Sequence, residues 1–406
     1  MGNTKKNYKK GTRHELIKMI LTCGNIPWES LAVACGNPEV KKMKIREMAK
    51  EGVLETVKVR NNRRVYTLVC LSNYNRDKEL FAPYHTQEEI SAYETYGYTD
   101  NKKARYSAGT DSLRVIANNE ITILMYEAGF GACPSGKIKL NSNIPVDDGN
   151  TYYYTSRELR RYTGYKADVV KSAEPENNKF TEKKISNSRI SGLLVSPGGI
   201  YAVYNIGRSA KDWYRSAEYK FKIFLERMLA ERMTVPQGSD SAMLYAEKYD
   251  TYIPLIQGGE DSANAFDNIN SAFRKTYILP YSKEGRELTR LMSEKNWKSR
   301  LLARYAPKFR IDTSDIRVDC DACMDKTYIC LFMAPELMRY KRFLTWAQES
   351  YENDPGSKNS YVVICFDFQT DFVKKTAGRY CRVMTAKLSD YIGELNEIKR
   401  KEQEKC

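Results

Sequence analysis

Hydrophobic positions in the first 71 residues recur with the spacing of short helices and then change to the alternation of strands. Residues 13–23 carry apolar residues three and four positions apart, which predicts a helix. A short second helix is predicted over WESLAVAC, residues 28–35. A third helix is predicted to begin at Pro38 and to stop at Gly52. Its apolar residues are expected to face a core: Val40, Ile45, Met48 and Ala49.

Two strands are predicted after the third helix, over Leu54–Val59 and Arg64–Leu71. Asn61-Asn62 lies between them, and asparagine tolerates the positive φ of a tight hairpin turn. Three helices followed by a hairpin is the order of a winged helix-turn-helix. In that fold the third helix enters the major groove of DNA, and the hairpin, or wing, reaches the phosphate backbone. We therefore predict a basic arm and a winged-helix DNA-binding domain over residues 1–71.

Basic residues are concentrated in this same segment. The chain has 406 residues and a net charge of +15, and residues 1–71 hold 15 Lys and Arg against 6 Asp and Glu, a net charge of +9. Such a footprint favours a polyanionic partner, here double-stranded DNA. The alternative is a structural or protein-binding domain with a solvated basic face. The candidate DNA-binding residues lie on the arm, the third helix and the wing: Lys9, Lys10, Arg13, Lys41, Lys42, Lys44, Arg46, Lys58, Arg60, Arg63 and Arg64.

The rest of the chain predicts a connector and a larger mixed domain. Residues 72–108 are polar and rich in tyrosine, with one helix at Gln87–Tyr96. The next helix ends at Gly129 and is apolar on more than one side. We predict an α+β or α/β domain over residues 109–390, with a central sheet covered on both faces, and a charged helical tail over 391–406. The main elements expected there are strands Arg189–Val195, Gly199–Asn205, Asp250–Ile256, Lys326–Met333 and Tyr361–Phe368, and helices 211–231, Glu284–Arg304 and one ending at Glu349.

Three segments, together with the winged helix, resemble a known family. They are the helix start TSRE at Thr155–Glu158, the strand SRISGLL and the strand IYAVYN. This combination resembles the replication-relaxation family, accessory proteins encoded beside relaxases on plasmids and integrative conjugative elements of Gram-positive bacteria. The likeness spans most of residues 12–230. It implies binding at or near a transfer origin, or at a replication origin, within a relaxosome. We expect the larger domain to be a platform for a relaxase, a replication initiator or self-association. A homo-oligomer is expected because one winged helix contacts few phosphates and pairing raises avidity.

Candidate catalytic residues are few. Glu218-Tyr219-Lys220 matches the ExK half of a metal-dependent nuclease core, and Asp367 lies near the end of a buried strand. A magnesium site needs a further carboxylate, which the strand IYAVYN does not supply. Histidine-metal relaxase chemistry requires clustered histidines, and the chain has only His14 and His85. We expect no enzymatic activity; a nuclease using Glu218, Lys220 or Asp367 and a transcriptional regulator of the mobile element are the alternatives.

Other motifs do not predict a ligand. GACPSGK at 131–137 satisfies GxxxxGK, but a helix precedes it and Ile138 takes the place of the required hydroxyl. Cys320-Asp-Ala-Cys323 lacks a second ligand pair, so neither a metal nor a cofactor is expected. The run Tyr152-Tyr153-Tyr154 is predicted at a surface or interface, where it could stack on unpaired bases. Without an apolar stretch long enough for a membrane span or a secretory signal, we expect a cytoplasmic protein that does not bind membranes.

Overall fold

A computed structural model describes most of the chain in separate ranges. These are residues 11–33, 36–61, 64–72, 86–95, 110–133, 137–138, 149–159, 188–207, 218–219, 221–223, 225–226, 241–257, 272–308, 310–311 and 320–403. In these ranges, no helix combines the length and apolar character needed to cross a bilayer. The residues in these ranges form helices and three separate β-sheets.

The N-terminal unit combines helices with a small sheet. Its elements are α1 (Thr12–Cys23), β1 (Ile26–Pro27), α2 (Pro38–Lys50), β2 (Leu54–Asn61) and β3 (Arg64–Leu71). The sheet order is β1-β3-β2, with both pairs antiparallel. The predicted second helix is only a 3-10 helix at Trp28–Ala32, and the hairpin strand β2 continues two residues beyond the prediction.

Helix α2 begins and ends where the sequence predicts, but its buried side differs. The Asn37 side chain caps the helix by accepting from the Glu39 backbone N–H at 2.9 Å. Ile45 and Met48 are fully buried, as predicted, whereas Val40 is exposed. The prediction for Val40 was wrong. Position 41 lies four residues before Ile45 and seven before Met48, so it is position 41, and not position 40, that shares their buried side of the helix.

Two helices precede the large sheets. They are α3 (Gln87–Thr95) and α4 (Thr110–Glu127). The expectation that α4 is buried on several sides is confirmed, because it contributes to three cores. Ile123 packs with the N-terminal unit, Ile116 packs behind the hairpin and Leu124 packs against the large sheets.

Two five-stranded sheets replace the single central sheet that we predicted. The first contains β4 (Tyr152–Thr155), β5 (Ile190–Ser196), β6 (Gly199–Gly207), β7 (Ser241–Ala246) and β8 (Lys275–Pro280). The second contains β9 (Arg310–Ile311), β10 (Ala322–Met324), β11 (Thr327–Leu331), β12 (Ser360–Phe366) and β13 (Arg382–Ala386). In each sheet the strands follow chain order. The first three are antiparallel and the last three are parallel, so the topology occurs twice.

The connections after the parallel strands also match between the two halves. Strand β7 leads into a 3-10 turn and α5 (Ile253–Gln257), and β12 leads into a 3-10 turn and α9 (Thr370–Ala377). The strand predicted over Asp250–Ile256 is therefore wrong. Tyr249 and Tyr252, three residues apart, are both buried on the same core, which suits a 3-10 helix rather than a strand.

Four further helices of the described ranges cover the two sheets. They are α6 (Lys283–Met292), α7 (Trp297–Tyr305), α8 (Leu337–Asn353) and α10 (Leu388–Gln403). A single helix was predicted over Glu284–Arg304, but Asn296 adopts a left-handed φ of 56° and divides it. The break brings the Trp297 ring into the core, where its Nε1 donates to the Tyr201 hydroxyl at 3.3 Å.

The two sheets share both of their cores. Alternate strand residues point to opposite faces, so Leu244 and Val363 belong to one core, and Tyr245 and Ile364 belong to the other. The sheets also meet through backbone, because the Ile278 N–H donates to the Pro335 carbonyl at 2.9 Å. The prediction that both faces are covered by helices is confirmed, although for two sheets rather than one.

A buried ionic cluster joins the two halves. The Asp321 carboxylate lies 2.8 Å from Lys298 Nζ on α7 and 3.3 Å from Arg339 Nη1 on α8. Its other oxygen accepts from the Leu331 N–H at 2.8 Å. Because α7 follows the first sheet and α8 belongs to the second, this carboxylate holds the halves together.

We expect Asp321→Ala to destabilise the protein by about 3 kcal/mol, because it removes the anion that neutralises two largely desolvated cations. Urea denaturation followed by circular dichroism measures the change. The matched control is Asp371→Ala, since Asp371 is exposed in the first turn of α9. Equal stability of the two variants would contradict a role for Asp321 in joining the halves.

Candidate nucleic-acid interface

The predicted basic face of α2 is largely neutralised by neighbouring carboxylates. Lys42 Nζ lies 2.7 Å from Glu39, and Lys44 Nζ lies 2.8 Å from Glu47. These pairs are at the surface, where each contributes little to stability. Lys42 and Lys44 can therefore exchange a carboxylate for a phosphate at small cost.

Lys41 does not point to the outer surface, in contrast to the prediction. Its Nζ lies 2.5 Å from Oε1 of Glu127 on α4, and the two side chains are only 14% and 6% exposed. The sequence could not reveal this contact, because the partner lies 86 residues away. Lys41 fixes α2 to α4 instead of forming part of an open cationic face.

Arg13 also has an internal partner. Its guanidinium forms two hydrogen bonds with Glu51, at 2.7 and 2.8 Å, and a third with Glu47 at 3.1 Å. The planar fork of arginine suits this bidentate geometry. Arg13 thus joins α1 to the end of α2, and Arg46 lies with its guanidinium carbon 5.7 Å from the centre of the Trp28 ring.

The hairpin carries accessible cations. Lys58 and Arg60 are exposed, and within the described ranges neither forms an ion pair. Lys58 and Arg60 follow Leu54 by four and six residues, so the three side chains point to the same side of the strand. Leu54 packs into the N-terminal core. Lys58 and Arg60 therefore lie on the side of the hairpin that faces this core and its helices. The opposite side is covered, since Val59, Leu68 and Cys70 pack against α4.

Four of the predicted residues cannot be placed in full. Lys9, Lys10 and Arg63 lie outside the described residues, as does the side chain of Arg64. Lys50 was not predicted, although it is exposed in the last turn of α2. Lys50 lies seven residues, or two helical turns, after Met43 and therefore on the same exposed side of α2. This spacing is the signal that could have identified it. The candidate interface consists of Lys42, Lys44, Arg46, Lys50, Lys58 and Arg60.

The N-terminal unit is fixed to the rest of the molecule by polar contacts. The Arg286 guanidinium on α6 donates to the Val33 carbonyl at 2.7 Å. The Asn119 amide on α4 donates to the Asn25 side chain at 2.9 Å, and both side chains are buried. The orientation of the candidate interface is therefore set by α4 and α6.

We expect Lys41→Ala to reduce the free energy of unfolding by about 2 kcal/mol, because it removes the ammonium group beside a desolvated carboxylate. Urea denaturation measures the effect. Lys42→Ala is the control, since its surface ion pair contributes less than about 1 kcal/mol. If Lys42→Ala were the more destabilising change, the assignment of Lys41 to the interior would be wrong.

The first catalytic candidate, Glu218, is buried in a set of hydrogen bonds. Its carboxylate accepts from the Ser188 hydroxyl, the Tyr204 hydroxyl and the Arg189 backbone N–H, each at 2.8 Å. It lies on a helix beside β5 and β6, not on a strand. Burial raises the pKa of the Glu218 carboxyl, although these donors oppose the shift. Lys220 lies outside the described residues.

The raised pKa of Glu218 predicts a pH dependence of stability. The folded state binds this proton more tightly than the unfolded state, so the stabilisation is complete below the ordinary pKa of 4.5 and declines as the pH rises through the folded value. The free energy of unfolding of the wild type should therefore fall relative to that of Glu218→Gln as the pH rises above the ordinary pKa of 4.5. Denaturation of both proteins at several pH values tests this, and a constant difference would contradict it.

The second catalytic candidate, Asp367, has a local structural role. One oxygen accepts from the Phe368 N–H at 3.1 Å and from the Leu388 N–H at 3.4 Å. It therefore stabilises the turn after β12 and the start of α10. Among the residues that the structure describes, no three His, Cys, Asp or Glu side chains are grouped so that they could hold a metal ion.

Lys137 of the GxxxxGK segment is structural. Its ammonium donates to the Ala132 carbonyl, the Tyr153 carbonyl and the Glu158 carboxylate at 2.7–2.8 Å, which occupies all three of its protons. Burial lowers the pKa of Lys137. Glu158 also accepts from the Thr155 N–H at 2.8 Å, while Thr155 accepts from the Glu158 N–H at 3.3 Å. The TSRE segment is thus a capping box at a helix start.

The prediction for the tyrosine run was wrong. Tyr152, Tyr153 and Tyr154 form strand β4 and are all buried, so they are not available to stack on bases. The run is buried because Tyr153 faces one core of the sheets while its two neighbours face the other. Cys320 is buried in the core that contains Tyr152 and Tyr154, and Cys323 is partly buried against that core.

Comparison with protein-family models, curated proteins and solved structures found no match.

Proposed function

We propose that the chain is a DNA-binding accessory protein of a mobile genetic element that recognises origin DNA through an N-terminal winged helix. The observation that carries the proposal is the position of Lys58 and Arg60. Both are exposed on the hairpin, on the side of the N-terminal helices. A hairpin that offers cations beside a solvent-exposed helix suits a duplex, with the helix in the major groove and the hairpin along the phosphates.

The element order supports the winged-helix assignment. Two helices, an intervening 3-10 helix and a hairpin follow one another, and a short strand completes a three-stranded sheet. Helix α2 corresponds to the helix that enters the groove. Its surface ion pairs at Lys42 and Lys44 are weak enough for phosphates to displace the carboxylates.

The partner and the site of action follow from the resemblance to the replication-relaxation family. We infer that the two-sheet part serves as a platform for a relaxase or a replication initiator, or for self-association, in the cytoplasm. Strand β13 supports this role, because it is an outer strand with Met384 exposed. A free strand edge is a common place for another chain to pair.

The proposed protein has no chemistry of its own. Glu218 is bonded to three donors inside the protein, and Asp367 caps a turn, so each carboxylate has a structural use. A transcriptional regulator would use the same DNA-binding surface. It would differ in its target, a promoter operator rather than an origin.

The expected result for Lys58→Glu/Arg60→Glu is loss of at least about tenfold in DNA affinity, with the slope of log affinity against log salt reduced by about 2. Gel shifts with origin DNA over a salt series, with and without magnesium, measure binding and cleavage together. The charge-matched control is Lys374→Glu/Lys387→Glu, which changes two exposed lysines in the second half of the molecule.

Three outcomes would overturn parts of the proposal. Absence of binding by the wild type at low salt would exclude the DNA-binding function. Undiminished binding by the hairpin variant would place the DNA surface elsewhere. Magnesium-dependent cleavage would show enzymatic activity and return attention to the carboxylates.

A further inference from the structure

Strand β13 is an open edge of the second large sheet. It ends the strand order, and among the described residues it pairs only with β12. The other ends of the two large sheets are closed or short. At β4, Tyr152 pairs with Gly131, and β9 is only two residues long. At β8, the Ile278 N–H donates to the Pro335 carbonyl at 2.9 Å. In the described part of the chain, β13 is therefore the longest unpaired edge of these two sheets.

The repeated topology indicates what kind of segment can cover this edge. Strand β8 ends the first sheet as β13 ends the second. The outer edge of β8 is covered by backbone of the second half, where Tyr277 and Glu336 form an antiparallel bridge. A last strand of this topology thus pairs antiparallel with a segment of the related half. For β13, a second copy of the chain supplies such a half.

The residues of β13 suit pairing with another strand. The strand contains no proline or glycine, and its register with β12 is continuous from Arg382 to Ala386. It carries no charge after its first position, and Met384 at its centre is 45% exposed. Proline, bulges and central charges are common means of preventing edge pairing, and β13 has none of them.

The start of β13 is cationic. Arg379 and Arg382 are exposed, and neither forms an ion pair within the described ranges. The Arg379 guanidinium carbon lies 5.5 Å from the ring centre of Tyr380. One exposed carboxylate, that of Glu352, lies nearby and accepts from the Tyr380 hydroxyl at 3.4 Å. Because the two arginines outnumber this carboxylate, the start of the strand presents a net positive charge.

The end of β13 is acidic. Asp367 accepts from the N–H of Leu388, two residues after the strand, at 3.4 Å. The hydroxyl of Thr370, the residue before Asp371, lies 3.2 Å from that of Thr385 in the strand. Three exposed carboxylates thus lie near this end with one exposed lysine: Asp367, Asp371 and Asp390 with Lys387. An antiparallel partner strand would place the positive start of one copy against the negative end of the other.

We propose that β13 pairs antiparallel with β13 of a second copy, about a twofold axis at Met384, and joins their second sheets into one continuous sheet. A twofold axis makes the same strand face itself, and the edge is complementary to itself because its two ends have opposite charge. The proposal specifies the self-association that the proposed function leaves open beside a relaxase or an initiator. It rests on the sheet edge and not on DNA binding.

A cysteine at the twofold axis tests this geometry. In a dimer of Met384→Cys the two new thiols lie directly opposite each other, where the Cα atoms of an antiparallel pair are about 4.5–5.5 Å apart, and this separation allows a disulfide. Oxidised glutathione should therefore convert the variant to a covalent dimer on a non-reducing gel. The wild type controls for the native thiols. Met324→Cys controls for a new thiol elsewhere, because Met324 is 38% exposed at the end of β10. Neither control should cross-link.

A lysine at the same position tests the pairing without a covalent bond. Met384→Lys places like charges opposite each other, so the dissociation constant of the dimer should rise at least about tenfold. Sedimentation velocity over a concentration series measures this constant, and circular dichroism checks the fold. Met324→Lys is the matched control and should dimerise like the wild type. Added salt should weaken the wild-type dimer, because opposite charges meet at its ends.

The outcomes separate this proposal from DNA binding. A wild type that stays monomeric at every concentration overturns the β13 dimer. A dimer that Met384→Lys does not weaken, or in which Met384→Cys forms no cross-link, has its contact elsewhere and overturns it equally. DNA binding is measured on a duplex that holds a single site, where each chain makes its own contacts. Loss of either property with the other intact therefore shows which of the two proposals fails.

Discussion

The burial of α4 on three sides is the constraint on which the arrangement of the molecule depends. One helix supplies Ile123 to the N-terminal core, Ile116 to the back of the hairpin and Leu124 to the large sheets. A helix with so little free surface cannot turn or shift without opening several cores, because protein interiors are closely packed. The DNA-binding unit that we propose is therefore held at a fixed orientation to the two-sheet part. A partner bound to either part would meet the other in a defined position.

Charge in the N-terminal unit is divided between structural and accessible cations. The net charge of the segment overstates the cationic surface, because Lys41 is committed to the buried Glu127 and Arg13 is paired with Glu51 at the surface. On the hairpin, Lys58 has no ion pair within the described ranges, and Lys42 on α2 has a partner that it can exchange. The structural cations hold the elements of the unit in place, and the accessible cations can form weak surface contacts. Reversible binding to a polyanion, as we propose, requires both.

The two-sheet part uses its buried carboxylates to hold itself together. Glu158, Glu218 and Asp321 each accept several hydrogen bonds or ion pairs from neighbouring elements. Buried carboxyl groups of this kind are costly to remove one at a time, because each removal leaves desolvated donors without their acceptor.

Local rules in the sequence determined most of the elements. Proline, glycine and asparagine mark the ends of α2, the alternation of apolar residues predicts the hairpin, and continuous apolar runs predict β11 and β12. Those signals are local because backbone conformation and amphipathic spacing are local. Tertiary structure alone decided that Lys41 faces Glu127 and that Tyr153 is buried, since the partners of these residues lie far away in the chain. It also decided that the apolar strands form two sheets of one topology, because strand pairing depends on contacts that no short segment contains.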